Sequence, residues 1–161
     1  MNETSGRKRT AARLAAVQAL YQIELTGADP DAVVTEFRHH RLGKDEENLG
    51  DADADFFIDL VLGASKRIAD IDTAIGGALS PDWPLARLEA VLRALLRCGC
   101  YELANRRDVP PQIAINEYLD IAHAFFDGKE PGMVNGVLDT LARRLRLDEM
   151  ENRRGAAPAS R

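Results

Sequence analysis

Prolines set the frame of this chain. Pro110-Pro111 and Pro131 each precede apolar residues that recur at three- and four-residue intervals. Proline is well tolerated in a helix only in its first turn, where its missing N–H has no intrahelical partner and its φ is preset. The stretch 101–139 therefore predicts two helices joined by a short, Gly-rich and charged connection. The first carries Ile113, Ile115, Leu119, Ile121, Ala122 and Phe125-Phe126 as its apolar face, with Asp108 placed to cap it and Gly128 to stop it. The second carries Met133, Val134, Val137, Leu138, Leu141, Ala142 and Leu145 on one face.

The same spacing runs through the rest of the chain, and no run alternates with period two. With Ala and Leu dominant and aromatics at only 6%, this predicts an all-α fold of about six to seven helices in two packed helical bundles. A length of 161 residues suits one domain. The helical subdomains are expected at about 7–79 and 84–147, joined by the Pro81-Asp82-Trp83-Pro84 turn, with flexible ends at 1–6 and 150–161.

In chain order, a first helix from Arg7 to about Thr26 has Ala16, Val17, Leu20 and Ile23 facing the core and ends at Gly27. Asp29-Pro30 opens a second helix to about Leu42, followed by an acidic linker over 44–53. One long helix is expected over 54–79, with Phe57, Leu60, Val61, Ala64, Ile68, Ile71 and Ile75 buried. Another is expected over 85–105, with Gly99 at a bend or a close helix crossing. Gly136 suggests a close backbone approach, and Asn116 and Glu117 suggest polar groups tying helices together.

Catalytic and metal chemistry find little support. His39 and His40 cannot share a helix face, and His123 has no partner at ligand spacing. Asp51, Asp53 and Asp55 resemble the start of a calcium loop, but Phe56 and Leu62 stand where its glycine and glutamate belong. Cys98 and Cys100 are two apart on a helix, so their thiols diverge; two buried thiols are expected. There is no Walker or dinucleotide motif. The sequence thus suggests no catalytic residues, no metal and no cofactor. It shows no signal peptide and no run long enough to cross a membrane, which suggests a cytoplasmic protein.

Charge is uneven. The formal net charge is −5, yet 44–72 holds nine acidic against three basic residues, while the first thirteen hold Arg7, Lys8, Arg9 and Arg13 against Glu3. A basic arm binds phosphates even on an acidic protein. Guanidinium groups hold phosphates by paired hydrogen bonds, and Tyr21, two turns beyond Arg13, offers a ring on which an unpaired base can stack. Lys129 and Asn135, in and beside the 127–136 connection, are further candidates for RNA contact. A solubilising arm and a core-edge tyrosine are the plainer reading of the same residues. The acidic 44–72 segment suits a second class of function, a protein-docking scaffold.

Several motifs in order narrow this choice. Arg13 with Ala16-Val17-Gln18-Ala19-Leu20-Tyr21, then Tyr101-Glu102-Leu103, Arg107-Asp108-Val109-Pro110, Ile115-Asn116-Glu117 and Asn135-Gly136-Val137-Leu138-Asp139 resemble the NusB family of bacterial transcription antitermination factors, over about 7–146. The resemblance implies two perpendicular helical bundles and no catalysis. It implies binding of single-stranded boxA RNA of ribosomal RNA transcripts with NusE, a small-subunit ribosomal protein, within an antitermination complex on RNA polymerase. Arg7, Lys8, Arg9 and Arg13 correspond to the family's arginine-rich segment, and Tyr21 to its tyrosine. The chain departs from the family in Thr10-Ala11-Ala12, which interrupt the basic run, and in Met133, where many relatives carry an aromatic. Met133 can still pack on a base and Lys129 adds a charge beside it. A homodimer is possible, and one burying the arm would be autoinhibited. The same domain also resembles the accessory module of RNA cytosine methyltransferases, which would bind RNA without modifying it.

Overall fold

The structure is a computed structural model and describes residues 3–40 and 52–150. Most of the acidic linker, Asp51 and the tail from 151 lie outside the described residues. Seven longer helices carry the described fold: α1 Glu3–Thr26, α2 Pro30–His40, α3 Ala54–Lys66, α4 Ile68–Ala78, α5 Ala90–Asn105, α6 Pro111–Phe125 and α7 Glu130–Leu145. No strand occurs among the described residues.

The helix starts and stops follow local chemistry. Gly27 takes φ +69°, a conformation that favours glycine, and its N–H caps the Ile23 carbonyl at 2.9 Å to end α1. Asp29 accepts from Ala32 N–H at the head of α2. Asp53 accepts from Phe56 N–H at 3.0 Å at the head of α3. Pro111 and Pro131 sit in the first turns of α6 and α7.

α5 is the helix around which the others pack. It touches α1, α3, α4, α6 and α7, while α2 leans on α1 and α3. α1 fits against α3 and α5 through Ala12, Ala15, Ala16 and Ala19, all fully buried, because short side chains let helix backbones approach. α3 crosses α5 at Gly63, where a Cβ would lie 2.1 Å from the Tyr101 ring. Gly99 marks the crossing of α5 with α6 and α7, against Tyr118 and Leu138.

Five sequence expectations are corrected. First, α1 starts at Glu3, so 3–6 are helical. Second, the helix expected over 54–79 breaks at Arg67, whose φ −117° and ψ 24° leave the helical region; its N–H turns to Ala64 O and its guanidinium lies 5.8 Å from the Tyr101 ring centre. The break lets α4 pack on α5 and α7, although the sequence groups it with the N-terminal helices. Third, the helix expected from 85 is a 3₁₀ turn, Leu85–Arg87, followed by extended backbone at Leu88, with α5 beginning at Ala90.

Fourth, the buried face of α6 keeps Ile115, Ile121 and Ala122 as expected but differs at three positions. Tyr118 is fully buried, while Ile113 and Phe125 are 50% and 45% exposed. Asp108 does not cap α6 but pairs with Arg9 and Arg106, each at 3.1 Å. Fifth, Asn116 is exposed and accepts from Gln112 on its own helix, and Gly136 has open space where a Cβ would be.

Candidate nucleic-acid interface

α1 presents its N-terminal arm along α6, and the structure divides the four basic residues into two kinds. Arg7 and Lys8 are exposed and form no ion pair among the described residues. Arg9 is mostly covered. It bridges Asp108 at 3.1 Å and Asp53 at 3.7 Å and lies 4.5 Å from the Phe56 ring centre. Phe56 also receives the guanidinium groups of Arg13 and Arg106, at 5.0 and 4.9 Å.

Arg13, expected to hold phosphate, is turned into the core and only 3% exposed. Its Nε and Nη2 donate to the Glu102 carboxylate at 2.9 and 2.7 Å, and its Nη1 donates to Glu117 at 2.9 Å. Burial opposes its charge, but the Glu102 hydrogen bonds and the surrounding carboxylates outweigh it, so its pKa is raised. Tyr118 Oη donates to Glu102 at 2.8 Å, and Cys98 Sγ lies 3.2 Å from Tyr118 Oη. Burial pushes the Tyr118 phenol well above its ordinary range and the Cys98 thiol up to about 12. The network locks α1 to α5 and α6. Glu117 is thus the helix tie expected, with Arg13 as its partner.

A groove follows α1 along α6. Two adjoining depressions, of about 340 and 700 Å³, share Arg7, Thr10 and Glu117. Thr10 Oγ1 lies 2.5 Å from Glu117 Oε1 at the boundary between them. Arg7 and Tyr21 are fourteen residues apart, which places them about 21 Å apart along the axis and within about 40° of one face. Tyr21 is 38% exposed. With Gln18, Glu89 and Phe125 it borders a third depression, of about 500 Å³.

Glu89 also borders a depression shared with Trp83 and with Glu130, the first residue of α7. Lys129, directly before α7, is exposed. Met133 is half-buried against the core and Asn135 is exposed, and neither lines the depressions along α1. Phe125, Gln18 and Glu89 escape a sequence reading. The only available signal is the Phe125-Phe126 pair at a helix end, since adjacent positions cannot both face the core.

Of the acids expected to form a docking face, Asp45, Glu46, Glu47 and Asp51 lie outside the described residues, while Asp53, Asp59 and Asp72 are engaged. Asp59 accepts from Tyr101 at 2.6 Å and pairs with Arg106, while Asp72 is held by Arg97. No group of three or more His, Cys, Asp or Glu suited to a metal occurs among the described residues, and no helix there is long and apolar enough to cross a membrane.

The geometry is that of an all-helical protein whose first helix offers a basic and aromatic face beside a groove. The NusB family model matches residues 10–143. The chain is 50% identical to the transcription antitermination protein NusB of a Bradyrhizobium species, covering 92% of this chain and 89% of that protein. It is 52% identical to that of Nitrobacter hamburgensis, covering 88% and 90%. Its fold is similar to T. maritima NusB, with TM-score 0.74 and 28% identity over 89% of this chain and 96% of that one. It is also similar to NusB solved with NusE and double-stranded RNA, with TM-score 0.72 and 28% identity over 86% and 98%. The chain belongs to the NusB family.

Proposed function

We propose that this protein is a transcription antitermination factor that binds boxA-type single-stranded RNA of ribosomal RNA transcripts together with NusE. In this reading it joins the antitermination complex on RNA polymerase in the cytoplasm and catalyses no reaction. The observation that carries the proposal is the face of α1 on which exposed Arg7 and Tyr21 align beside the α6 groove. Arg7 and Lys8 supply phosphate contacts, Lys129 adds a cation at the start of α7, and Tyr21 supplies a stacking surface. Arg9 and Arg13 act differently from Arg7: their ion pairs hold the arm in place. Met133 and Asn135, on α7, extend the contact beyond the α1 groove. The similarity to a NusB solved with NusE and RNA supports the choice of partners.

The test is fluorescence anisotropy of a labelled boxA-type RNA, with and without NusE, beside a scrambled strand and a duplex. Tighter binding to boxA than to either control, strengthened by NusE, is the expected result. Equal binding to the scrambled strand would reduce α1 to a nonspecific basic arm. No binding even with NusE would leave a protein-docking role in front.

A further inference from the structure

We infer that the loop between α5 and α6, residues 106–110, is a brace that sets the direction of the RNA-binding arm, with Asp108 as its positioning residue and Arg146 as its anchor. This rests on the RNA-binding reading and adds to it a carboxylate that strengthens the binding of a polyanion without touching it. Arg7 and Lys8 stand close to the start of α1 at Glu3, where a helix frays unless something ties it down. The ties fall at Lys8 and Arg9. The Lys8 carbonyl accepts from Asp53 N–H at 3.0 Å, at the head of α3. The Arg9 guanidinium donates to Asp108 at 3.1 Å, stands 3.7 Å from Asp53 and covers the Phe56 ring at 4.5 Å. The arm is therefore held from α3 on one hand and from the α5–α6 loop on the other.

The loop is itself fixed from the C-terminal end of α7. Arg146 is fully buried, and its Nη2 donates to the carbonyls of Val109, Arg107 and Arg106 at 2.6, 3.3 and 3.4 Å. Its Nε donates to Glu149 at 2.9 Å. A rigid guanidinium fork can hold several backbone oxygens in one arrangement, which a lone ammonium on a flexible stem cannot. Asp108 also accepts from Arg106 at 3.1 Å, and Arg106 lies over the same Phe56 ring at 4.9 Å. Two guanidinium groups at that distance offset the charge of Asp108, so a phosphate held at Arg7 meets little repulsion from it. What the pair contributes is order: an arm already in place loses less freedom when RNA binds.

The experiment titrates a labelled boxA-type RNA with the full-length protein and its Asp108→Asn, Arg9→Gln and doubly substituted variants over a salt series, beside thermal melting. Neutralising a carboxylate that merely repelled RNA would tighten binding. The brace demands the opposite: Asp108→Asn should weaken binding about threefold to tenfold, the factor by which the correctly placed arm is depopulated. The salt slope should stay as in the wild type, because no phosphate contact is lost, and the melting temperature should hardly move, because the pair is partly exposed. The double variant should lose little more than either single one, because both changes break the same contact. Arg146→Lys keeps the charge but not the fork; it should weaken RNA binding in the same way and speed amide exchange at Val109, whose N–H bonds to Arg106 O. The Asp108–Arg9 comparison decides the proposal even if Arg146→Lys does not fold. Equal or tighter binding by Asp108→Asn, or additive losses in the double variant, would overturn the brace while leaving RNA binding intact. Absence of RNA binding by the wild type would instead overturn the reading on which the brace rests.

Discussion

Arg13 and Glu102 form a two-pronged ion pair in the core, with Nη2 2.7 Å and Nε 2.9 Å from the two carboxylate oxygens and both residues almost fully buried. A residue read from the sequence as a phosphate ligand is thereby a tie between α1 and α5, and through Glu117 to α6. Replacing it with alanine would strand a buried carboxylate. Arg13→Ala is expected to destabilise the fold by about 3–5 kcal/mol, measured by urea unfolding. A loss below about 1 kcal/mol would mean that the pair behaves as a surface contact.

Arg7 should behave in the opposite way. Its side chain is exposed and makes no ion pair among the described residues, so Arg7→Ala should leave the urea midpoint unchanged. The slope of log affinity for single-stranded RNA against log salt should fall by about 0.7, the value for one released phosphate contact. An unchanged slope would place the backbone path elsewhere on the molecule.

Glu24 joins α1 to α5, accepting from Arg93 at 2.6 Å and from Arg97 at 2.7 Å. The hydrogen bonds from Arg93 do most to hold its carboxyl below its ordinary 4.5; burial opposes them, and the hydrogen bond from Arg97 and the charges of both arginines add to the lowering. The unfolded chain therefore takes up this proton first as pH falls. The pair's stabilisation is fully present above about 4.5 and is lost as pH drops through the depressed folded value. Urea midpoints measured from pH 6 downward (roughly the unfolded range and below) should fall less steeply for Glu24→Gln than for the wild type. Parallel curves would show that Glu24 titrates alike in both states.

The cysteines should be silent in the native protein. Desolvation raises Cys98 to about 12 and Cys100 to about 11, so neither carries appreciable thiolate near neutrality, and both are buried. A thiol reagent at pH 7.5 (about one unit below a free thiol's pKa) should label neither until denaturant is added. Rapid native labelling of Cys98 would show that the Tyr118–Glu102 network opens readily.

The amino-acid sequence by itself determined the helical class, most helix starts and the main stop of α1. Those depend on interactions within a few residues: proline in a first turn, aspartate before a helix, glycine at positive φ after one. The basic arm and Tyr21 were legible as types for the same reason. Tertiary structure decided which way they face. Arg13 turns inward because Glu102 and Glu117, about ninety and one hundred residues away in sequence, converge on it from two other helices. The helix expected over 54–79 breaks at Arg67, with neither proline nor glycine at that position, where α4 turns to pack on α5 and α7. Phe125 is left outside at the last position of α6, although it stands seven residues from the buried Tyr118 and so close to the same helix face. Apolar spacing specifies that a helix has a buried side; which residues occupy it, and which charges are spent on one another, is settled only when distant segments meet.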